Sequence, residues 1–255
     1  IENNGYILTN TYSNRRLNIG TTGDIVNNGE WVTGNMYLND TTRQYVTLQS
    51  GKTFQTNFYN NNPDTVQMLS DLTFSGNFVL NSNVLDMDNH LISCLSTNQI
   101  TSGTILNVED IDGPVWLHGY NGLNIYGNLE FEDFAQVSKY LYVYGDVAIS
   151  DTLRNYYNWD GFISIDGNLT NNGLISNHPT HDELYISLTG DIINNGDWLN
   201  QKTTLVGDHD QKIALVYDHP IDGQVVFNSE INAPYQWYYN GNILDSPDFN
   251  GETQA

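Results

Sequence analysis

The sequence has few basic residues, a single cysteine and no long apolar run. Lys and Arg number 8 against 30 Asp and Glu, which gives the 255-residue chain a formal net charge of −22. A field of this sign repels nucleic-acid phosphates and anionic membranes, so we expect no nucleic-acid partner. We expect no membrane insertion either, because no stretch reaches the roughly 20 apolar residues of a spanning helix. Cys94 is alone, which excludes a disulfide within the chain.

Helical periodicity is almost absent from the sequence. Only the segment EDFAQVSKYL (132–141) has apolar residues near helical spacing, and it predicts a turn or two of helix. Elsewhere apolar and polar residues alternate with a period of two, as they do in strands that bury one face. Hydrophobic residues make up 39% of the chain, with 17 Tyr, 9 Phe and 5 Trp, which is ample material for a core. We therefore expect an all-β, folded protein.

A short phrase rich in Gly and Asn is repeated along the chain. GDIVNNGEW (23–31) returns as GDIINNGDW (190–198) and, in weaker form, as GNLTNNGLI (167–175). Similar units, aligned on the Gly that follows a short alternating run, recur at separations of 17 to 28 residues. The aligned glycines are Gly23, Gly51, Gly76, Gly103, Gly127, Gly145, Gly167, Gly190 and Gly207. This period suits one turn of a parallel β-helix, since propeller blades need about 40 residues or more.

Stacked turns would explain the repetition, because every turn must bend at the same places. Gly permits a positive φ at a bend, and Asn, of which there are 36, tolerates left-handed backbone. We predict a right-handed parallel β-helix of about nine or ten rungs over residues 1–230. Residues 231–255 are predicted to cap it or to begin an immunoglobulin-like module. An antiparallel β-sandwich is the alternative, because NNG between apolar runs is also typical of hairpins.

The units ISIDGNLTNNGLI and ISLTGDIINNGDW resemble the degenerate repeats of secreted right-handed β-helix proteins. These proteins include adhesins of the filamentous-haemagglutinin type and the repetitive surface proteins of Bacteroidetes. The resemblance covers about residues 15–230, and PYQWYYNGNIL (234–244) resembles a strand of the immunoglobulin-like module that follows such repeats. It implies an exported bacterial protein, secreted or on the cell surface, that acts in adhesion or carbohydrate contact. We also expect this chain to be part of a larger one.

Two aromatic clusters have the composition of a sugar-binding surface. One lies in VWLHGYNG (115–122), where aromatic residues alternate and should share one strand face, and the other in LRNYYNWDGF (153–162). Flat rings stack on the C–H faces of sugars, while neighbouring polar groups bind the hydroxyls. A polysaccharide or a cell-surface glycan is therefore the predicted partner, and a role of these rings in the core is the alternative. The candidate carbohydrate-binding residues are Trp116, His118, Tyr120, Arg154, Tyr156, Tyr157 and Trp159.

Two acidic clusters have residues suited to Ca²⁺, the one cofactor that the sequence suggests. Ca²⁺ takes roughly six to eight oxygen ligands from carboxylates, carbonyls and water. The candidate ligands are Glu109, Asp110 and Asp112 in NVEDIDGP (107–114), and Asp86 and Asp88 in LDMDNH (85–90). The first cluster is similar to part of a calcium loop but lacks its final Glu. An ordinary solvated turn is the alternative for both clusters.

Signatures of catalysis are scarce in the sequence. Gly-x-Ser-x-Gly and phosphate-binding Gly loops are absent. The Gly-His-Gly and Arg-x-Lys motifs of polygalacturonase-like hydrolases are absent as well, and the few basic residues are scattered. We therefore expect a non-catalytic structural or adhesive segment. The alternative is a β-helical polysaccharide-active enzyme, a lyase or a glycoside hydrolase, with paired carboxylates as acid and base.

Overall fold

The computed structural model describes residues 1–9, 16–96, 98–180, 182–216, 219–227, 237–239 and 242–243. All regular secondary structure in these ranges is β-strand, and the strands stack as a parallel β-solenoid of about 10 turns. The predicted all-β solenoid is thus confirmed. Among the described residues there is no helix of the length and apolarity that crossing a membrane requires. The chain divides into two compact units, which we call unit 1 (Ile1–Gly127) and unit 2 (Asn128–Ala255).

Unit 1 contains thirteen strands, several of them long enough to continue through a corner. They are β1 (Glu2–Asn3), β2 (Tyr6–Leu8), β3 (Asn18–Thr21), β4 (Ile25–Asn27), β5 (Glu30–Leu38), β6 (Gln44–Leu48), β7 (Phe54–Asn60), β8 (Thr65–Met68), β9 (Leu72–Phe74), β10 (Phe78–Val79), β11 (Val84–Cys94), β12 (Asn98–Asp112) and β13 (Val115–Tyr126). The long strands are not in perfect register, since β5–β7, β11–β12 and β12–β13 each contain a shift.

Unit 2 is built from shorter strands that pair without register shifts. They are β14 (Leu129–Phe131), β15 (Ala135–Tyr144), β16 (Val147–Ile149), β17 (Thr152–Asn155), β18 (Gly161–Ile165), β19 (Leu169–Asn171), β20 (Leu174–Ser176), β21 (Leu184–Leu188), β22 (Ile192–Asn194), β23 (Asp197–Leu199), β24 (Lys202–Leu205), β25 (Gln211–Leu215), β26 (Gln224–Phe227), β27 (Trp237–Tyr239) and β28 (Asn242–Ile243). A typical turn consists of three strands, such as β19, β20 and β21, and each pairs with its counterpart in the preceding turn to build one wall of the solenoid.

Two expectations from the sequence are wrong. The segment with helical spacing, 132–141, leads into strand β15, whose first four residues are all buried. Its backbone groups bond to β17 and β18 of the next turn, and this pairing overrides the weak local signal. The antiparallel sandwich is also wrong, because every described strand pairing is parallel except β27–β28.

The NNG phrase serves the stacking of turns and not a hairpin. A Cβ atom on Gly29 would lie 2.0 Å from the carbonyl oxygen of Gly5, and one on Gly196 would lie 2.1 Å from that of Gly173. Gly is therefore required here by the close approach of two backbones. The expected positive φ does occur at some aligned glycines, such as Gly51 (76°).

The first Asn of the phrase points into the core, where its amide bonds to neighbouring turns. Asn171 is fully buried and donates from Nδ2 to Asn194 Oδ1 (2.7 Å) and to the carbonyl of Asp197 (3.0 Å). In unit 1, Asn3 donates to Asn27 Oδ1 in the same way (2.8 Å). A buried amide with these partners replaces the hydrogen bonds that it would make with water.

The residues that follow Gly145, Gly167 and Gly190 connect successive turns on the outer surface of unit 2. Asn168 N–H donates to Asp146 Oδ1 (2.7 Å), Asp191 N–H donates to Asn168 Oδ1 (2.8 Å), and Lys212 N–H donates to Asp191 Oδ1 (2.7 Å). Each side chain thus supplies an acceptor to the next backbone, which Asp and Asn do equally well. Asn168 lies between Asp146 and Asp191 in this series, so that these two carboxylates do not occupy adjacent turns.

The C-terminal prediction cannot be followed through the structure. Residues 231–255, expected to form a cap or the start of another module, lie outside the described residues except for β27 and β28. β27 pairs in parallel with β25, which continues the stack, and in antiparallel with β28.

Candidate functional site

An aromatic column runs along the outer face of unit 2. Tyr140 on β15, Phe162 on β18 and Tyr185 on β21 are register partners in successive turns. The ring centroids of Tyr140 and Phe162 are 5.2 Å apart at 23°, and those of Phe162 and Tyr185 are 4.9 Å apart at 6°. This spacing is close to the strand separation of about 4.8 Å, so parallel stacking alone brings the rings face to face.

The aromatic column lines a surface pocket of about 200 Å³. The next register position after Tyr185 is Lys202 on β24, where no ring continues the column. The pocket is lined by Tyr140, Tyr142, Phe162, Ile163, Ser164, Tyr185, Ile186, Ser187, Lys202 and Thr204. The pocket therefore combines aromatic rings with three Ser or Thr hydroxyls and one ammonium group. No carboxylate lines it.

Two corner loops, residues 156–160 and 177–180, carry a second set of exposed rings. The first loop leads directly into β18. Tyr157 is 49% exposed, and its ring meets the His178 imidazole edge-on with centroids 5.6 Å apart. Trp159 is 37% exposed, and the Lys139 ammonium lies 4.1 Å from the centroid of its ring. Lys139 immediately precedes Tyr140, so the corner loops adjoin the aromatic column.

A buried amide holds the two corner loops together. Asn155 has no exposed surface, and its Nδ2 donates to the carbonyl of Trp159 (3.2 Å). Its Oδ1 accepts from the backbone N–H of His178 (2.6 Å). The position of Trp159 is fixed further by its own N–H, which donates to the Tyr156 carbonyl (3.1 Å). These bonds fix the backbone of the corner loops that carry the exposed rings.

The hydroxyl end of Tyr185 carries an acidic neighbour. Its hydroxyl donates to Glu183 Oε2. This hydrogen bond, followed by burial and by the charges of Glu183 and Asp160, raises the pKa of Tyr185 to about 12. Asp160 in turn accepts from the Glu183 backbone N–H (3.0 Å). Both carboxylates near the column are thus already engaged with protein donors.

The surroundings of His178 disfavour its charged form. Burial and the nearby Arg154 guanidinium lower the pKa of His178, and Asp182 opposes the shift. Its Nδ1 bonds to Thr180 Oγ1 at 2.8 Å. A neutral imidazole beside Tyr157 adds a flat polar surface without adding charge.

The structure brings most of the predicted residues of 153–162 to one place. Tyr157 and Trp159 are exposed at the corner, so the alternative of a core role is wrong for these two rings. Tyr156 is half-buried. Arg154 stacks its guanidinium over the Phe134 ring at 4.7 Å, which makes its contribution partly structural.

Sequence reasoning missed the aromatic column, although a signal for it exists. Once the repeats are aligned on Gly145, Gly167, Gly190 and Gly207, the fifth position before each Gly falls in one register column. The residues at that position are Tyr140, Phe162, Tyr185 and Lys202. Reading down the alignment, and not only along the chain, would have found them.

The other predicted cluster lies in unit 1 on β13. Trp116 and His118 point outward and are half-buried, with ring centroids 5.1 Å apart. Tyr120 is 63% exposed and lies 6.3 Å from His118 between ring centroids. The predicted shared strand face is therefore present, but its rings do not form a parallel stack.

The predicted calcium ligands lie on strands. Glu109, Asp110 and Asp112 belong to β12, and the Asp110 carboxylate accepts from the Ile111 N–H that follows it (2.7 Å). Asp112 also contributes to the surroundings of Cys94, since burial and this charge raise the pKa of that thiol to about 12.

In the second acidic cluster, Asp86 Oδ1 accepts from Asn107 Nδ2 (2.9 Å) and from the Asp88 N–H (3.1 Å). Within the described ranges no group of three or more His, Cys, Asp and Glu side chains is arranged to hold a metal ion. Calcium binding by either cluster stays a prediction from the sequence.

A second pocket, of about 410 Å³, lies in unit 1 and is lined by polar and apolar groups alike. It contains His90, whose Nδ1 lies 3.4 Å from Asp71 Oδ1. The Ser70 hydroxyl in this pocket accepts from the Leu48 N–H (2.8 Å) and donates to the Asp71 carbonyl (3.3 Å). Because these bonds occupy the hydroxyl, Ser70 is not paired with the imidazole as a nucleophile would be.

Comparisons with known proteins give this chain no family. A comparison with protein-family models finds no matching family, and comparisons with curated proteins and with solved structures find no match either.

Proposed function

We propose that the chain is a non-catalytic segment of an exported bacterial cell-surface protein, and that it contacts a polysaccharide or a cell-surface glycan. The contact surface is the aromatic column together with the corner-loop rings of Tyr157 and Trp159. The carrying observation is that the fold holds exposed rings in fixed positions beside a pocket with hydroxyl groups. Contiguous exposed rings of this kind are typical of binding surfaces.

The stacked turns support the adhesive part of the proposal. Each described turn is bonded to its neighbours by strand ladders and by side-chain bonds such as Asn168 to Asp146. A binding surface on a wall of this kind keeps its geometry without a ligand, so binding costs little conformational entropy. Export to the cell surface is supported by the resemblance of the repeats to those of secreted β-helix proteins.

A glycan array with the purified chain tests this proposal, followed by calorimetry on the best-binding oligosaccharide. We expect Trp159→Ala and Tyr157→Ala each to weaken binding roughly tenfold or more, because truncating a central aromatic ring removes much of a contact energy. Tyr45→Ala is the matched control, since Tyr45 in unit 1 is 37% exposed, as Trp159 is. Its binding should equal that of the unaltered chain.

Two results would contradict the proposal. One is an array without any binding above background, and the other is equal loss of binding in Tyr45→Ala and Trp159→Ala. Turnover distinguishes the enzymatic alternative, so the same oligosaccharides are incubated with the chain, with and without Ca²⁺, and the products are separated by chromatography. Shortened or unsaturated products that disappear with a single carboxylate substitution would replace the adhesive proposal with an enzyme.

A further inference from the structure

Building on the proposed function, we infer that the pocket beside the aromatic column selects an anionic sugar residue. The oxyanion of that residue, a carboxylate or a sulfate, contacts the Lys202 ammonium. The sugar ring lies in the pocket, against the parts of the stacked rings that line it. This assignment concerns the ligand's charge and the position of one subsite.

The geometry places Lys202 next to the stacked rings in one pocket. Phe162 covers one face of Tyr185 at 4.9 Å with nearly parallel planes. On the other side the register partner of Tyr185 is Lys202, and that of Lys202 is Gln224, so no third ring continues the stack. A ligand in this pocket of about 200 Å³ can therefore contact the rings and Lys202 together.

The charge distribution supplies the selectivity. The chain has 30 acidic and 8 basic residues, yet the pocket lining contains no Asp or Glu and one Lys. The ion pairs found among the described residues all involve histidine, so Lys202 has no carboxylate partner there. Glu183, the carboxylate bonded to the last ring of the column, already accepts from the Tyr185 hydroxyl. An ammonium with no internal partner is available to a ligand oxyanion.

The overall negative charge of the protein does not oppose this contact at physiological ionic strength. Charges separated by more than about 8 Å are largely screened at 0.15 M salt. A direct contact between an ammonium and an oxyanion is much shorter than that and is screened little. The pocket thus attracts an anionic group locally although the chain repels polyanions at long range.

The test uses the whole chain and matched pairs of oligosaccharides that differ only in a carboxylate or a sulfate. We expect the charged member of at least one pair to bind more tightly, and Lys202→Gln to weaken that binding roughly tenfold. Binding of the neutral member should change less than about twofold. Lys202→Arg keeps the charge and should retain preference for the charged member, and unchanged circular dichroism shows that both variants are folded.

Lys212→Gln is the matched control, because Lys212 is an exposed lysine of unit 2 on β25, away from the pocket. If it weakens binding as much as Lys202→Gln does, the preference arises from total charge and the inference is wrong. If only neutral glycans bind, or both members bind equally, the inference is wrong while the proposed function stands. If no glycan of any kind binds, both fail together.

Discussion

The most extensive ring contacts of unit 1 lie inside the solenoid wall, whereas those of unit 2 lie outside it. In unit 1 the rings pack inside, where Phe58 stacks on Phe78 at 5.1 Å and meets Phe54 edge-on at 5.1 Å. In unit 2 they stack outside as the aromatic column. The inner positions directly behind that column carry aliphatic residues such as Ile163 and Ile186.

The difference shows that rings one turn apart can stack on either face of the wall. The two faces differ in what the stacked rings contribute. Rings inside contribute buried area and packing, whereas rings outside leave edges and end faces to a ligand. Unit 1 also has an outward stacked pair, Tyr37 and Tyr59, whose ring centroids are 5.0 Å apart, but the next register partner, Val79, carries no ring. Rings on the outer face of the wall therefore support a binding role, whereas the number of aromatic residues alone does not.

The largest test of this comparison replaces one ring on each side. Phe58 is 1% exposed, so Phe58→Ala should lower the free energy of unfolding by about 3–5 kcal/mol through lost burial and a cavity. Phe162→Ala on the outer face should cost only roughly 1–2 kcal/mol, since it loses ring stacking and partial burial. Urea unfolding followed by circular dichroism measures both values. Equal losses would mean that the outer column is as important for stability as the inner rings.

The stacking of turns could be predicted from the sequence because it depends on repetition. The aligned glycines locate the turns, and the period-two alternation locates their inner faces. The roles of individual residues were less accessible, because they depend on the neighbouring turn. Gly29 is required by the carbonyl of Gly5, twenty-four residues earlier, and not by its own backbone angle. No local propensity contains that information.

The corner loops illustrate the same limit at the candidate site. The sequence places Tyr157 and Trp159 together, which was enough to predict a binding cluster. It does not reveal that Asn155 Oδ1 accepts from the backbone of His178, one turn later. Nor does it reveal that Lys139 covers part of Trp159. Loops of unequal length change the sequence separation between residues that meet in successive turns, so these contacts follow only from the folded chain.

The buried amides provide a second and smaller test of how the units differ. The register partner of Asn171 in the next turn is Asn194, whereas that of Asn27 is Leu48. The Nδ2 of Asn27 consequently has no hydrogen-bond partner within the described structure, although it is buried. Asn171→Ala should cost about 1–3 kcal/mol of unfolding free energy by leaving buried partners unpaired.

Asn27→Ala should cost clearly less than Asn171→Ala, because it also removes an amide that was already unsatisfied. Asn172→Ala serves as the control, since Asn172 lies outside the core and a substitution there should stay within about 0.5 kcal/mol. Urea midpoints of the three variants, measured side by side, give the order. If Asn27→Ala causes the largest loss of unfolding free energy of the three, the amide–amide contact of Asn171 does not explain the difference between the units.

The smallest expected effect concerns the ionisation of Tyr185. Its pKa of about 12 depends first on the hydrogen bond to Glu183, so Glu183→Gln, which removes the carboxylate charge, should lower that pKa toward the ordinary value of 10.0. The folded protein holds this proton more tightly than the unfolded chain does. The associated stability is therefore complete below pH 10 and is lost as the pH rises toward 12. Titration of Cζ-labelled tyrosine by carbon NMR, with Tyr185→Phe to identify the resonance, measures the pKa directly.

Asp166→Asn provides the control for the Tyr185 titration, because that carboxylate accepts from Thr189 Oγ1 (2.9 Å) and belongs to no contact of the aromatic column. It should leave the Tyr185 resonance and its pKa unchanged. An unchanged pKa in Glu183→Gln would mean that burial, and not Glu183, dominates the site. The Glu183 carboxylate could then contact a ligand, and it would repel an anionic group in the pocket. The titration therefore checks the charge argument for an anionic sugar without any sugar in the experiment.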